Sequence, residues 1–136
     1  MSEAGGLEFL VVDCGSRKVP DIGRILTGLG VRVRTVPLNQ VDAAALPGAD
    51  AVVISGGPAL FTDPGGDQTV ARFRFLDDLT VPVLGICLGH QALALRAGGS
   101  VFRGPERRDR DEIEPVEDHP LLAGIAAPVV MREDHC

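Results

Sequence analysis

The sequence predicts a three-layer α/β domain built on an open, mostly parallel sheet. Three observations predict it. Short apolar runs alternate with stretches of helical periodicity, two of those runs are apolar at nearly every position, and sharp turns follow the runs. Alternation of strand and helix implies parallel strands joined by right-handed crossovers, and an apolar run without alternation fits a strand covered on both faces.

The elements follow in order. "LEFLVVDCG" is an apolar run ending at Gly15, and "DIGRILTGLG" places Ile22, Ile25, Leu26 and Leu29 at helical spacing before Gly30 closes it. "VRVRTVPL" sets Val31, Val33 and Thr35 against Arg32 and Arg34, which reads as a half-buried strand toward a sheet edge. "ADAVVISGGP" is a covered strand, and "QTVARFRFLDDL" predicts a helix with Val70, Phe73, Leu76 and Leu79 on one stripe. "VPVLGIC" is a second continuous apolar strand, and "LGHQALALRAGGS" is a helix that stops at Gly98 and Gly99. The charge-dense "ERRDRDEIEPVE" reads as a solvated hairpin or loop, and "HPLLAGIAAPVVMRE" as a short helix or turn and one more strand.

A chain of 136 residues fits one domain, residues 1–136, with an ordinary core. The opening "MSEAGGLE" has neither the basic region nor the apolar segment of a signal peptide or membrane span, so a soluble protein without a membrane partner is expected. A net charge of -6 repels a phosphate backbone, and five Phe without Trp or Tyr offer little for base stacking, which argues against nucleic-acid partners. Cys14, Cys87 and Cys136 form no Cys-x-x-Cys pair, and a reduced, cytoplasmic setting is the simpler expectation.

The turns at 13–16, 55–58 and 87–89 all fall at the carboxyl ends of predicted strands, where open α/β sheets bind ligands. Gly85-Ile86-Cys87-Leu88-Gly89 has the form of a strand-to-helix nucleophile elbow with cysteine in place of serine. Such a turn is strained, and a β-carbon on either flanking glycine would collide with the adjoining strand or helix. The first turn of the following helix favours thiolate, the reactive form, and makes the Leu88 N–H a natural oxyanion donor. A second donor is available from Ser55-Gly56-Gly57-Pro58, with Gly57 the first choice and Gly56 the second. On this pattern alone, a small buried cysteine with packing glycines explains the residues equally well.

Beyond the bare pattern, "PVLGICLGHQ" resembles the nucleophile motif of class I (triad-type) glutamine amidotransferases, and "VVISGGP" their oxyanion loop. "VVDCGS" and "ILTGLGV" resemble the opening of the glutaminase part of the GMP synthetase type, to which the form "SGGP" is also similar. These motifs run in the family's order over residues 8 to 104. The resemblance implies a flavodoxin-like three-layer fold and hydrolysis of the glutamine side-chain amide through a Cys87 thioester. Ammonia would pass to a synthetase partner. It also implies that Gln91 lies in the glutamine pocket, with Gly56 helping to shape it, while His90 is structural. No cofactor or metal is implied for the glutaminase step, and ATP and magnesium would belong to the synthetase.

The family's late His-Pro-Glu motif, whose histidine takes the thiol proton, is not found in this sequence. The ending "APVVMREDHC" resembles the family's middle strand, so the C-terminal catalytic part is expected to be missing from the chain as given. His119 precedes Pro120 but is followed by leucine, and His135 stands in "REDHC"; both are weaker candidates for the base than for exposed or supporting roles. A metal bound by Asp134, His135 and Cys136 is not expected, because adjacent residues rarely reach one ion with good geometry. Three functions follow: an active glutaminase, a truncated pseudo-amidotransferase that binds glutamine or a synthetase without turnover, and a hydrolase or redox sensor using Cys87. An uncovered sheet edge in the second case would favour a homo-oligomer or an obligate partner.

Overall fold

A computed structural model describes residues 6–42 and 45–135, and the third cysteine, Cys136, lies outside them. The chain divides into two compact units, Met1–Phe102 and Arg103–Cys136.

The first unit holds a four-stranded sheet of β1 (Glu8–Asp13), β2 (Arg32–Pro37), β3 (Ala51–Ile54) and β4 (Val83–Gly85), in the order β2-β1-β3-β4. Every pairing is parallel. The helix α1 (Val19–Gly28) crosses from β1 to β2, with Pro20 in its first turn, where a missing N–H costs nothing. Side chains alternate across a strand, so the central strands feed two separate clusters. Val11 and Val53 meet Val19, Ile22 and Leu26 of α1 on one face, while Leu10, Val12, Val52 and Ile54 meet Phe73, Phe75 and Ala92 on the other. This is the three-layer α/β arrangement with a parallel sheet that the alternation of elements predicts. β2 lies at the sheet edge, as its alternating arginines require, and Arg34 Nε reaches Glu8 Oε1 of the neighbouring β1 at 2.8 Å.

Two elements differ from expectation. The helix expected over "QTVARFRFLDDL" is α2 (Gly66–Ala71) followed by a 3-10 turn over Arg74–Asp78. Phe73 and Phe75 are both buried, and residues two apart cannot share one face of an α-helix, so the chain tightens between them through i to i+3 bonds from Arg72, Phe73 and Leu76. The second continuous apolar strand is only three residues long and lies at the other sheet edge. Leu84 in it is 57% exposed and Ile86 just beyond is 39% exposed, so β4 is not covered on both faces as β3 is. After it, α3 (Leu88–Arg96) packs on the Phe73 side of the sheet, with Ala92 in that cluster.

In the second unit, β5 (Arg110–Ile113) pairs antiparallel with β6 (Val129–Arg132), and no described residue is buried. The charge-dense stretch thus supplies a strand of a solvated two-stranded ribbon. Arg107 makes ion pairs there with Asp111 and Glu133.

Candidate active site

The elbow is present. Cys87 has φ 50° and ψ -105°, and it is the one non-glycine residue with positive φ among those described. A side chain rarely adopts this backbone, and holding one there costs about 1–3 kcal/mol that surrounding packing must offset. The packing is visible on both sides. A β-carbon on Gly85 would lie 2.7 Å from the backbone of Gly89 and His90, and one on Gly89 would lie 2.6 Å from the Ile54 carbonyl oxygen. Only glycine at both positions lets α3 start this close to β3 and β4.

Behind the elbow, the Gly89 N–H donates to Ile86 O and the Gln91 N–H to Cys87 O, each at 2.9 Å. Leu88, 2% exposed, is the first residue of α3, so its N–H has no carbonyl within the helix to receive it. Cys87 itself is exposed. His90 is exposed and Gln91 half-buried on the same turn.

The glycine loop after β3 lies beside this elbow. A β-carbon on Gly56 would come within 3.4 Å of the Cys87 β-carbon, so Gly56 is the loop residue against Cys87. Gly57 backs onto the loop after β1, where a β-carbon would meet the Cys14 carbonyl oxygen at 1.9 Å. The structure therefore brings Cys87, Leu88, Gly56, Gly57 and Gln91 to one end of one sheet. The chain leaves β1 toward β2 on one side and enters β3 on the other, so the order β2-β1-β3-β4 puts a topological switch point between β1 and β3. The loop sits there.

Sequence reasoning named two residues at this point without giving either a role in the site. Ser55 is fully buried and is the one buried polar residue among those described. Its hydroxyl oxygen accepts the Cys14 N–H at 2.9 Å, and its O–H donates to Gly56 O at 2.8 Å. A polar residue directly ending a buried apolar strand must find such partners, and that was the available signal. Cys14, half-buried, has its thiol pushed up from the ordinary 9.0 to about 11, first by burial, with the Ser55 hydroxyl opposing and the Asp13 charge adding to the rise. The folded state thus holds this proton more tightly than the unfolded chain. Its contribution to stability is complete below pH 9 and is lost as pH climbs through about 11. The stability difference between wild type and Cys14→Ser, followed by urea unfolding, is expected to stay flat to pH 9 and then fall up to pH 11. A difference that stays flat throughout would contradict it.

The two late histidines have other partners. His119 Nδ1 accepts the Leu121 N–H at 3.1 Å, and His135 Nε2 lies 3.4 Å from Glu133 Oε2. Among the described residues, no group of three His, Cys, Asp or Glu side chains is placed to hold a metal ion, and no helix is long and apolar enough to cross a membrane. A cavity of about 870 Å³ lies between Leu38, Leu46, Phe75 and Val81 and is lined by none of the predicted site residues.

The family profile described as "Glutamine amidotransferase class-I" matches residues 10–136. The chain belongs to the class I glutamine amidotransferases. It is similar to the glutamine-hydrolysing GMP synthase subunit of Thermoplasma acidophilum, with 32% identity over 130 residues, covering 95% of this chain and 64% of that one. Against the glutamine-hydrolysing GMP synthase of Aeropyrum pernix it is 44% identical over 118 residues, covering 85% of this chain and 22% of that one. The crystal structure of a protein described as a GMP synthase subunit, from Thermoplasma acidophilum, superposes with a TM-score of 0.82 and 29% identity, over 95% of this chain and 64% of that chain. A glutamine amidotransferase structure from Thermotoga maritima shares the fold, with a TM-score of 0.75 and 21% identity over 96% of this chain and 60% of that chain. This class I amidotransferase chain therefore spans 64% of the length of its Thermoplasma relative.

Proposed function

We propose that the chain carries the glutaminase half of an amidotransferase, with Cys87 as nucleophile and a synthetase of the GMP synthase type as the receiver of ammonia. The observation that carries the reading is the strained backbone of Cys87, held between two glycines beside a glycine loop. Packing maintains this strain at one residue, and that residue exposes a thiol at the carboxyl end of a parallel strand.

In the proposed reaction the Cys87 sulfur attacks the carboxamide carbon of glutamine while its proton passes to a base. Negative charge gathers on the former carbonyl oxygen, where the Leu88 and Gly57 N–H groups stabilise it. The C–N bond then breaks, the nitrogen takes up a proton and leaves as ammonia, and a γ-glutamyl thioester remains. Water cleaves the thioester to glutamate and restores the thiol. Gly56 and Gln91 shape the glutamine pocket. The hydrolysis as written uses no cofactor, and ATP with magnesium belongs to the synthetase. The base is assigned to neither His119 nor His135, whose partners lie in the second unit.

The test is an intact mass before and after incubation with 6-diazo-5-oxonorleucine, a diazoketone analogue of glutamine. One adduct, mapped to Cys87, is expected. No adduct on a folded chain would overturn the glutaminase reading in favour of a chain that binds without turnover. A peroxide-dependent mass shift on Cys87 without any response to the analogue would point to a redox role.

A further inference from the structure

While the Cys14 thiol keeps its proton, the Ser55 hydroxyl donates its own single proton to Gly56 O and its oxygen receives the Cys14 N–H, so both directions of the group are fixed. The Ser55 N–H also donates to Val12 O at 3.0 Å. One buried residue thus ties the end of β1, the loop after it and the glycine loop together. The peptide between Gly56 and Gly57 is trans, so its C=O and N–H point in opposite directions. With the carbonyl drawn toward the buried hydroxyl, the Gly57 N–H is turned the other way. The loop is blocked from rolling inward, because Gly57 already lies against the Cys14 carbonyl, where even a β-carbon has no room.

A pair of glycines can otherwise turn a peptide through half a circle at little cost, since neither residue resists positive φ. In that flipped arrangement a carbonyl oxygen would face the developing oxyanion and repel it. We propose that Ser55 is a positioning residue whose hydroxyl locks the Gly56–Gly57 peptide with its N–H toward the Cys87 side. The second oxyanion donor is thereby set before substrate arrives. The catalytic meaning of this lock rests on the proposed function; the lock itself does not.

Wild type and Ser55→Ala are compared by three measurements on the full chain. Amide exchange should show the Cys14 N–H protected in wild type and exchanging at least about tenfold faster in the variant, because its acceptor is gone. Alkylation of Cys87 by 6-diazo-5-oxonorleucine, whose carbonyl must sit among the oxyanion donors, should slow by about 10²-fold. Alkylation of Cys87 by iodoacetamide, which needs no such donors, should be unchanged. Equal slowing toward both reagents would reduce Ser55 to a packing role and overturn the proposal, as would unchanged rates with a protected Cys14 amide. If wild type ignores the diazoketone, the glutaminase reading fails, and amide exchange alone decides the lock: loss of protection in Ser55→Ala supports it, equal protection overturns it.

Discussion

Cys87→Gly is expected to be inert toward the glutamine analogue and yet more stable than Cys87→Ala by about 1–2 kcal/mol. Both variants lose the thiol, so turnover should fall by about 10⁴-fold or more in each. They differ in backbone alone. At φ 50° and ψ -105° alanine keeps the strain that cysteine carries, whereas glycine reaches this region freely. The unfolded chain gains more freedom from glycine, which takes back about 0.5–1 kcal/mol of the relief. Urea unfolding of the two variants measures the difference. An alanine variant as stable as the glycine variant would mean that the elbow stores no strain, and the main support for Cys87 as nucleophile would go with it.

Gly89→Ala is expected to destabilise the fold by about 3 kcal/mol, near the upper end for an overpacked core. The new methyl carbon would stand 2.6 Å from the Ile54 carbonyl and 2.8 Å from its Cβ and Cγ2. A strand backbone and a β-branched core side chain cannot give way as the end of a flexible side chain would. The contrast is Gly23→Ala in the middle of α1, where a β-carbon meets nothing within 4 Å. There the same substitution should stabilise by about 0.5–1 kcal/mol through helix propensity. Unfolding midpoints of the two variants should therefore move in opposite directions. A Gly89→Ala protein with wild-type stability would show that α3 does not start against β3 as described.

These glycines were legible in the sequence because the demand for them is local, set by the short path from strand through Cys87 to helix. The strands β1 and β3 were legible for a related reason, since burial on both faces writes itself as an uninterrupted apolar run. The break between α2 and its 3-10 turn was not. It depends on Phe75 finding the same cluster as Phe73, a fact about where the sheet lies and not about periodicity along the segment. The exposure of Leu84 was hidden likewise, because an apolar run says that a strand prefers cover and not that both faces have it. Ser55 was missed because its partner on β1's loop is a backbone N–H 41 residues away, and a backbone amide leaves no mark in the residue alphabet.

That last point bears on how such a site is mapped genetically. The proposed oxyanion donors, the N–H groups of Gly57 and Leu88, survive every side-chain replacement except proline. A mutational scan across the loop would accordingly score the fit of Gly57 against Cys14 and of Gly89 against Ile54, and attribute to those residues an importance that belongs to their neighbours' room. The donors themselves answer only to a change of the main chain. Replacing one amide by an ester through semisynthesis would delete the N–H while leaving every side chain, and the Ser55 bond to Cys14, in place.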